Sequence, residues 1–339
     1  MKTIVIAGAH SNVGKTTLAK TVRDALPGAA AFVKIGTGEK KEGSADILYP
    51  FGTSFRDIKV NHSGVDFLII ESNHVLAELD PDLCIFLGAQ DEKPSAALAR
   101  QKADLTRGCK ASLEKVSALS RKLAITLDKM KEICFLAGAN PEPVSAVIMA
   151  GGASSRMDRN KALLPNASGK TMVRHLYDTL VQWFDEVIIS VSKREDPLIS
   201  DARTVIDLKP AHGPLMGIYS SLYASANRVN FIIACDIPAV NLPLVRRLLS
   251  CSLQYDIVVP SFTKGYYEPL FAVYTKEILT AAKALLDNGQ RKVAGLFPFC
   301  KTKVLEVSDC TWYANLNTPK DYYSFIKGER RKNEHYDSV

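Results

Sequence analysis

Two segments of the chain open in the same way, with a short apolar strand, a glycine-containing loop and then a helical pattern. The first has its strand at residues 3–6 and its loop at 7–14, and the second has its strand at 144–149 and its loop at 150–152. In α/β nucleotide folds, the first strand delivers such a loop to the ligand at its carboxyl end. Because 339 residues exceed one ordinary hydrophobic core, the two openings predict two α/β domains.

A stretch with one glycine and two prolines, residues 137–143, separates the two openings. Before it, residues 110–135 carry apolar side chains at three- and four-residue steps, which predicts one amphipathic helix. Each half alternates strand-like and helix-like segments, which favours mostly parallel sheets. We therefore predict domains at 1–139 and 140–328, followed by a polar, charged and flexible tail at 329–339.

Composition excludes several other classes of protein. The net charge is +7, but Lys and Arg are spread along the chain and no finger, RNA-recognition or helix-turn-helix signature occurs, so nucleic acid is not an expected partner. The seven cysteines lie far apart with no C-x-x-C pair, which argues against disulfides and zinc. No apolar run approaches the ~20 residues that span a bilayer. We expect a cytoplasmic protein with reduced thiols and no membrane contact.

Residues 9–16 read Ala-His-Ser-Asn-Val-Gly-Lys-Thr, the phosphate-loop pattern with alanine in place of its usual first glycine. Backbone N–H groups here can ring an anion, and a helix N-terminus favours negative charge. Lys15 would reach the β- and γ-phosphates, and Thr16 would bind Mg²⁺. A chance Gly-Lys-Thr in a turn is the weaker alternative, because a strand precedes the pattern and a helix follows it. The pattern predicts an N-terminal P-loop NTPase-like domain with nucleotide contacts at Asn12, Val13, Gly14, Lys15, Thr16 and Thr17.

Two further acids in this half stay open. Glu71 ends the apolar run 67–70, where it could support a metal or be an ordinary strand-end acid. The Lys-x-Asp at 102–104 is similar to a guanine-reading box, but fits a solvated helix end better. With its phosphate loop and Val33-Lys34, the domain resembles the small GTP-binding adaptor of molybdenum cofactor biosynthesis, the MobB family. The family's His-rich stretch after that lysine is absent.

The second opening carries two cations and is followed by an acid. Arg156 and Lys161 stand in and after the Gly-Gly loop, where they can bind a triphosphate and the departing pyrophosphate. Asp236 follows the apolar strand 231–234 and would face the same crevice. One carboxylate plus substrate phosphates is a usual way to hold Mg²⁺, although Asp236 could instead cap a helix before Pro238.

These stretches, from about residue 144 to 326, resemble molybdenum cofactor guanylyltransferase, the MobA family. The carrying motifs are Ala-Gly-Gly-x-Ser-Ser-Arg-Met and the lysine after it, Gly-Pro-Leu-Met-Gly at 213–217, Tyr-Glu-Pro-Leu at 267–270 and Asn-Leu-Asn-Thr-Pro at 315–319. The resemblance implies a Rossmann-like nucleotidyltransferase domain with Arg156, Lys161 and Asp236 as catalytic residues. The GTP contacts that it implies are Met149, Ala150, Gly151, Gly152, Lys161, Ser190, Asp207 and Asp236, with Mg²⁺ on Asp236. The pterin contacts that it implies are Gly213, Pro214, Gly217, Glu268 and Asn317.

The resemblance implies GMP transfer from GTP to molybdenum-bound molybdopterin, with pyrophosphate released. Molybdoenzyme clients or their chaperones are further candidate partners. Three residues depart from the family pattern: Asp158 replaces glycine, Asn160 replaces aspartate and Ser190 replaces asparagine. They leave two alternatives open. One is a cytidylyl- or sugar-phosphate nucleotidyltransferase, and the other is a carrier that binds nucleotide without turnover.

Overall fold

The computed structural model describes residues 1–36, 47–89, 91–151, 161–193, 198–210, 212–263 and 265–336, with side chains up to residue 327. The chain divides into two compact units, Met1–Glu142 and Pro143–Val339. The division falls inside the proline-containing stretch, close to the predicted boundary at 139/140. We call the two parts unit 1 and unit 2.

Unit 1 contains a parallel six-stranded sheet. Its strands are β1 (Lys2–Gly8), β2 (Ala30–Ile35), β3 (Ile47–Tyr49), β4 (Phe67–Glu71), β5 (Leu83–Leu87) and β6 (Leu105–Thr106), in the spatial order β3-β2-β4-β1-β5-β6. Its helices are α1 (Lys15–Ala25), α2 (Phe55–Asn61), α3 (Ala97–Gln101), α4 (Leu113–Leu123) and α5 (Leu127–Ala137). The central strands are almost entirely apolar, apart from Glu71 at the end of β4, because helices cover both faces of a parallel sheet. The carboxyl ends of these strands therefore share one edge.

The single helix that we predicted over 110–135 is wrong, because two helices occupy this stretch. Ala124 adopts the left-handed conformation with φ 55° and ends α4. The Thr126 side chain then accepts a hydrogen bond from the backbone N–H of Lys129 and caps α5. The apolar spacing continues across the break because both helices bury side chains in the same core. Periodicity alone could not reveal the interruption.

Unit 2 contains a mixed eight-stranded sheet. Its strands are β7 (Val144–Met149), β8 (Glu186–Val191), β9 (Arg203–Ile206), β10 (Val229–Ala234), β11 (Ile257–Thr263), β12 (Tyr266–Tyr267), β13 (Phe271–Thr275) and β14 (Thr302–Glu306). The order is β12-β11-β13-β10-β7-β8-β9, and β14 pairs with β11. The helices are α6 (Met172–Leu180), α7 (Gly213–Ala224), α8 (Leu242–Cys251), α9 (Leu279–Asp287) and α10 (Pro319–Tyr336). Strands β10, β7, β8 and β9 run parallel, whereas β13 runs antiparallel to β10. The start of β13 therefore lies at the edge where β7 and β10 end.

Helix α10 extends into the predicted tail, where residues 329–336 are helical. At its start, Asp321 N–H donates to the Thr318 hydroxyl, and the Asp321 carboxylate accepts from the backbone N–H of Thr318. The Lys, Arg and Glu residues that suggested a flexible tail are also good helix formers, so a capped start can propagate through them. Within the described part of the chain, no helix is both long and apolar enough to cross a bilayer.

Candidate active site

The carboxyl edge of β7, β8, β9 and β10 carries Met149, Ala150, Ser190, Asp207 and Asp236 among the predicted site residues of unit 2. Met149 ends β7, and its carbonyl accepts a hydrogen bond from Cys235 N–H at 3.1 Å. Ala150 N–H donates to the Ser190 carbonyl in β8 at 2.8 Å. These bonds hold the start of the glycine loop between its two neighbouring strands, so that the loop, Ser190 and the segment carrying Asp236 form one edge.

Lys161 connects two motifs that are far apart in the sequence. Its Nζ lies 3.1 Å from Asp236 Oδ2 and 3.3 Å from Asn317 Oδ1. The Lys161 and Asp236 side chains are only 17% and 22% exposed, so the pair is partly screened from water. Leu316 N–H also donates to the Asp236 carbonyl at 2.9 Å, which fixes the segment carrying Asn317 against the end of β10. A cation, a carboxylate and an amide therefore converge at one point.

Glu268 provides a second carboxylate beside this point. Its Oε2 accepts a hydrogen bond from the Tyr313 hydroxyl, and its Oε1 accepts from Leu270 N–H at 3.2 Å. Burial raises the pKa of Glu268, these two hydrogen bonds oppose the rise, and the charge of Asp236 adds to it. Two neighbouring carboxylates favour an added cation. No group of three or more His, Cys, Asp or Glu side chains suited to a metal occurs among the described residues, so a metal here would need further ligands from substrate.

Asp207 follows β9 and lies in a tight pocket with Met149, Ser190 and Gly217. Its Oδ1 is buried and finds no hydrogen-bond partner in the described part of the chain. Burial raises the pKa of the carboxyl to about 6, and the nearby charge of His212 opposes that rise. A Cβ on Gly217 would stand 2.5 Å from Met149 Cε and 3.4 Å from Asp207 Oδ1. A larger residue at 217 would require the flexible end of Met149 to move. Gly217, predicted as a pterin contact, thus packs against predicted GTP-site residues.

The remaining predicted residues of unit 2 have mixed placements. The Ser190 side chain is only 1% exposed and lies beneath Gly217, so it does not open to solvent. Gly213 and Pro214 begin α7, and Gly213 has φ 74° and packs against Arg291. A Cβ on Gly151 would stand 2.6 Å from the backbone nitrogen of Ser192, which requires glycine there. Four residues lie outside the described part of the chain: Gly152, Arg156, Asp158 and Asn160.

In unit 1, the phosphate-loop pattern occupies the turn from β1 into α1. Gly14 has φ 88°, which glycine adopts without strain, and it stands at the N-terminus of α1. The Lys15 Nζ donates to the His10 carbonyl at 2.6 Å, so the side chain folds over the loop. Burial lowers the pKa of Lys15, and the charge of Glu71 opposes that effect. Val13 packs against Gly8, while Asn12 and Thr17 are exposed.

Glu71, left open by the sequence, lies directly behind this loop. It is 3% exposed, its Oε2 accepts from the Thr16 hydroxyl at 2.6 Å, and its Oε1 lies 3.1 Å from Lys34 Nζ. The sequence did not single out Lys34 as a site residue, and its only signal was the family resemblance. Asp104 instead accepts from Cys84 N–H near the start of β5, at the sheet edge opposite the loop. The Lys-x-Asp sequence therefore cannot read a base bound at the loop.

Comparison with known proteins identifies relatives of unit 2. A family model described as "MobA-like NTP transferase domain" matches residues 146–299. A probable molybdenum cofactor guanylyltransferase of Pelotomaculum thermopropionicum is 34% identical over 52% of this chain and 89% of its own length. Another from Natranaerobius thermophilus is 36% identical over 52% of this chain and 92% of its own length. The crystal structure of molybdopterin-guanine dinucleotide biosynthesis protein A from Archaeoglobus fulgidus superposes with TM-score 0.48 at 18% identity, over 55% of this chain and 99% of that chain.

Proposed function

The chain belongs, through unit 2, to the molybdenum cofactor guanylyltransferase family, and we propose that unit 2 transfers GMP from GTP to molybdenum-bound molybdopterin and releases pyrophosphate. The observation that carries the proposal is the meeting of Lys161, Asp236 and Asn317. They come from three segments that are far apart in the sequence and that the family resemblance covers, and the two relatives above match over about nine-tenths of their own lengths.

The reaction breaks the bond from the α-phosphorus of GTP to the oxygen that bridges to the β-phosphate. The terminal phosphate of the pterin substrate forms the new bond to that phosphorus. A phosphate oxygen is already ionised at neutral pH, so the site needs no strong base. Lys161 would offset negative charge on the triphosphate and on the departing pyrophosphate, and Arg156 is proposed to do the same.

Asp236 is the residue that would hold Mg²⁺ in unit 2. Its carboxylate lies near Glu268, whose pKa its charge helps to raise, and such a concentration of oxygen donors suits a hard cation. Bound Mg²⁺ would supply charge neutralisation on the phosphates. The chain's own contribution is position: Asn317 contacts Lys161 and Glu268 lies near Asp236, and both are proposed to orient the pterin substrate.

Unit 1 is proposed to be a P-loop nucleotide-binding domain of the adaptor type. The support is the loop between β1 and α1, the Lys15 side chain folded over it, and the contact of Thr16 with the buried Glu71. If Thr16 binds Mg²⁺, Glu71 is placed to accept from that metal's water ligands. Client molybdoenzymes or their chaperones stay predicted partners of the whole chain, which we expect to act in the cytoplasm.

The decisive experiment is turnover of labelled GTP by the full chain with molybdopterin as acceptor. We expect guanine dinucleotide and pyrophosphate in equal amounts, identified by mass. Preference for CTP would move unit 2 to the cytidylyltransferase alternative. Tight GTP binding without pyrophosphate release would support the carrier alternative.

A further inference from the structure

Arg107 lies across the phosphate loop of unit 1, although it follows β6 and is far from the loop in sequence. Its Nη1 donates to the Val13 carbonyl at 2.9 Å. Its Nη2 lies 3.9 Å from the point where a Cβ on Gly14 would stand. The Nε is buried and has no hydrogen-bond partner among the residues that the structure describes. A phosphate-loop pattern does not require an arginine here, and nothing in the sequence singled it out.

The unpartnered Nε of Arg107 shares one edge of the guanidinium with Nη2. Nε and Nη2 point in parallel and form the two-donor edge that binds paired acceptor atoms. Nη1, on the other side, is engaged by Val13. A buried N–H without a partner is unfavourable, so this edge is arranged for an acceptor that a ligand can bring. Burial also lowers the pKa of Arg107, as expected for a guanidinium held away from water.

The order of the strands in unit 1 indicates which end of a bound nucleotide would face the Nε and Nη2 edge of Arg107. The Thr16 hydroxyl donates to Glu71 at the end of β4, which lies on one side of β1. The metal ion and the outer phosphates of a bound nucleotide would lie on this side. Strands β5 and β6 lie on the other side of β1, and Arg107 stands at the carboxyl end of β6. After β5, Lys93 N–H donates to the Ala9 carbonyl at 3.0 Å and closes the loop on the same side. A triphosphate seated on the loop would therefore direct its nucleoside toward Arg107.

We propose that Arg107 binds the nucleoside half of the ligand of unit 1 through its Nε and Nη2 edge. The proposal rests on the nucleotide site proposed above for unit 1 and goes beyond it: the site selects a nucleoside triphosphate over an inorganic polyphosphate. Arg107 is then a specificity residue. Its contact with Val13 couples the loop that holds the phosphates to the side of the site that holds the nucleoside.

The test uses the full chain carrying Lys161→Ala and Asp236→Asn, which removes the charged pair of unit 2. In this background, binding of GTP, ATP and inorganic tripolyphosphate is measured by calorimetry. Arg107→Lys keeps the charge and one donor for Val13 but lacks the two-donor edge. We expect it to weaken nucleotide binding about tenfold or more while tripolyphosphate binding stays within about twofold. Arg121→Gln, on the exposed face of α4, is the matched control and should change neither.

The outcomes separate the two proposals. If Lys15→Ala in the same background leaves nucleotide binding unchanged, the nucleotide site of unit 1 is itself wrong. If Lys15→Ala abolishes binding but Arg107→Lys weakens nucleotide and tripolyphosphate equally, Arg107 only supports the loop, and the nucleoside assignment is overturned. Unchanged binding of every ligand in Arg107→Lys also overturns it. Thermal unfolding of each variant shows whether a loss comes from the fold.

Discussion

The two units place a lysine near a carboxylate in different ways. In unit 1, Lys15 folds over its own loop to the His10 carbonyl, and Glu71 holds the next residue, Thr16. In unit 2, Lys161 pairs directly with Asp236 and also reaches Asn317. The first arrangement keeps the lysine within a cradle made by consecutive residues. The second joins residues from distant motifs, which brings opposite charges to one point where phosphates would bind.

This difference shows how each site depends on the fold. A consecutive loop needs only its strand and its helix to be in place, so its geometry is largely local. A dispersed site exists only when β7, β10 and the segment before α10 are packed together. Substitutions at the shared point in unit 2 should therefore affect both binding and catalysis, whereas substitutions in the loop of unit 1 should affect binding at that loop alone.

The largest expected effect follows from disrupting the Lys161–Asp236 pair of unit 2. Asp236→Asn should lower GMP transfer by about a hundredfold or more, because it removes the carboxylate proposed to hold Mg²⁺ and leaves Lys161 without its partner. The measurement is the rate of pyrophosphate release at limiting Mg²⁺. Asp201→Asn, in an exposed pair with Arg174, is the control and should retain the wild-type rate. Wild-type activity in Asp236→Asn would remove this residue from the mechanism.

The second prediction concerns base choice. Guanine offers two adjacent N–H donors, and the unpartnered Asp207 Oδ1 can accept from such a group, whereas adenine and cytosine lack that pair. We expect kcat/KM for GTP to exceed that for ATP and CTP by about tenfold or more, since an unpaired buried polar group costs about 1–3 kcal/mol. Because the pKa of Asp207 is about 6, this preference should strengthen as pH rises through 6 and the carboxyl ionises. Equal turnover of the three nucleotides in competition would contradict the assignment.

The third prediction concerns the effect of the Asp207 carboxyl on the stability of the fold. Burial raises the pKa of Asp207 in the folded protein from the ordinary 3.8 to about 6. The folded state therefore holds this proton more tightly than the unfolded state does. The resulting contribution to stability is fully present below pH 3.8 and is lost as the pH rises through about 6. Asp207→Asn should therefore raise the free energy of unfolding at pH 7 by about 1–2 kcal/mol, a figure reduced for solvent screening. Denaturant unfolding at pH 7 and pH 4 checks it. A gain that persists at pH 4 would show that ionisation is not the cause.

The smallest expected effect tests whether the two sites act separately. Lys15→Ala in the full chain should leave GMP transfer within about twofold of wild type, because the two sites share no residue. A chain starting at Pro141 should likewise fold and retain transfer, since the division into units falls at Glu142 and Pro143. Complete loss of transfer in Lys15→Ala would mean that the units are coupled, and the comparison drawn above would then fail.

The sequence by itself determined the parts of this protein that depend on neighbouring residues. It predicted β7 with its observed limits, located β1, β4 and β10 to within two residues at each end, and identified the loop from β1 into α1. Apolar runs bounded by turn residues, and a glycine beside a lysine at a helix start, have few other structural solutions. The family motifs also named Lys161, Asp236, Glu268 and Asn317, but as a resemblance rather than a geometry.

Only the tertiary structure decided which of these residues meet. No sequence pattern predicted the contact of Lys161 with Asn317 or the contact of Arg107 with Val13, and the hydrogen bond from Thr16 to Glu71 was left open. Such contacts depend on strand order, and strand order follows from packing that no local pattern records. For the same reason the sequence missed the break at Ala124 and did not predict that α10 continues through residues 329–336. Local propensity determines which segments form strands and helices. The packing of distant segments determines which charged side chains come into contact.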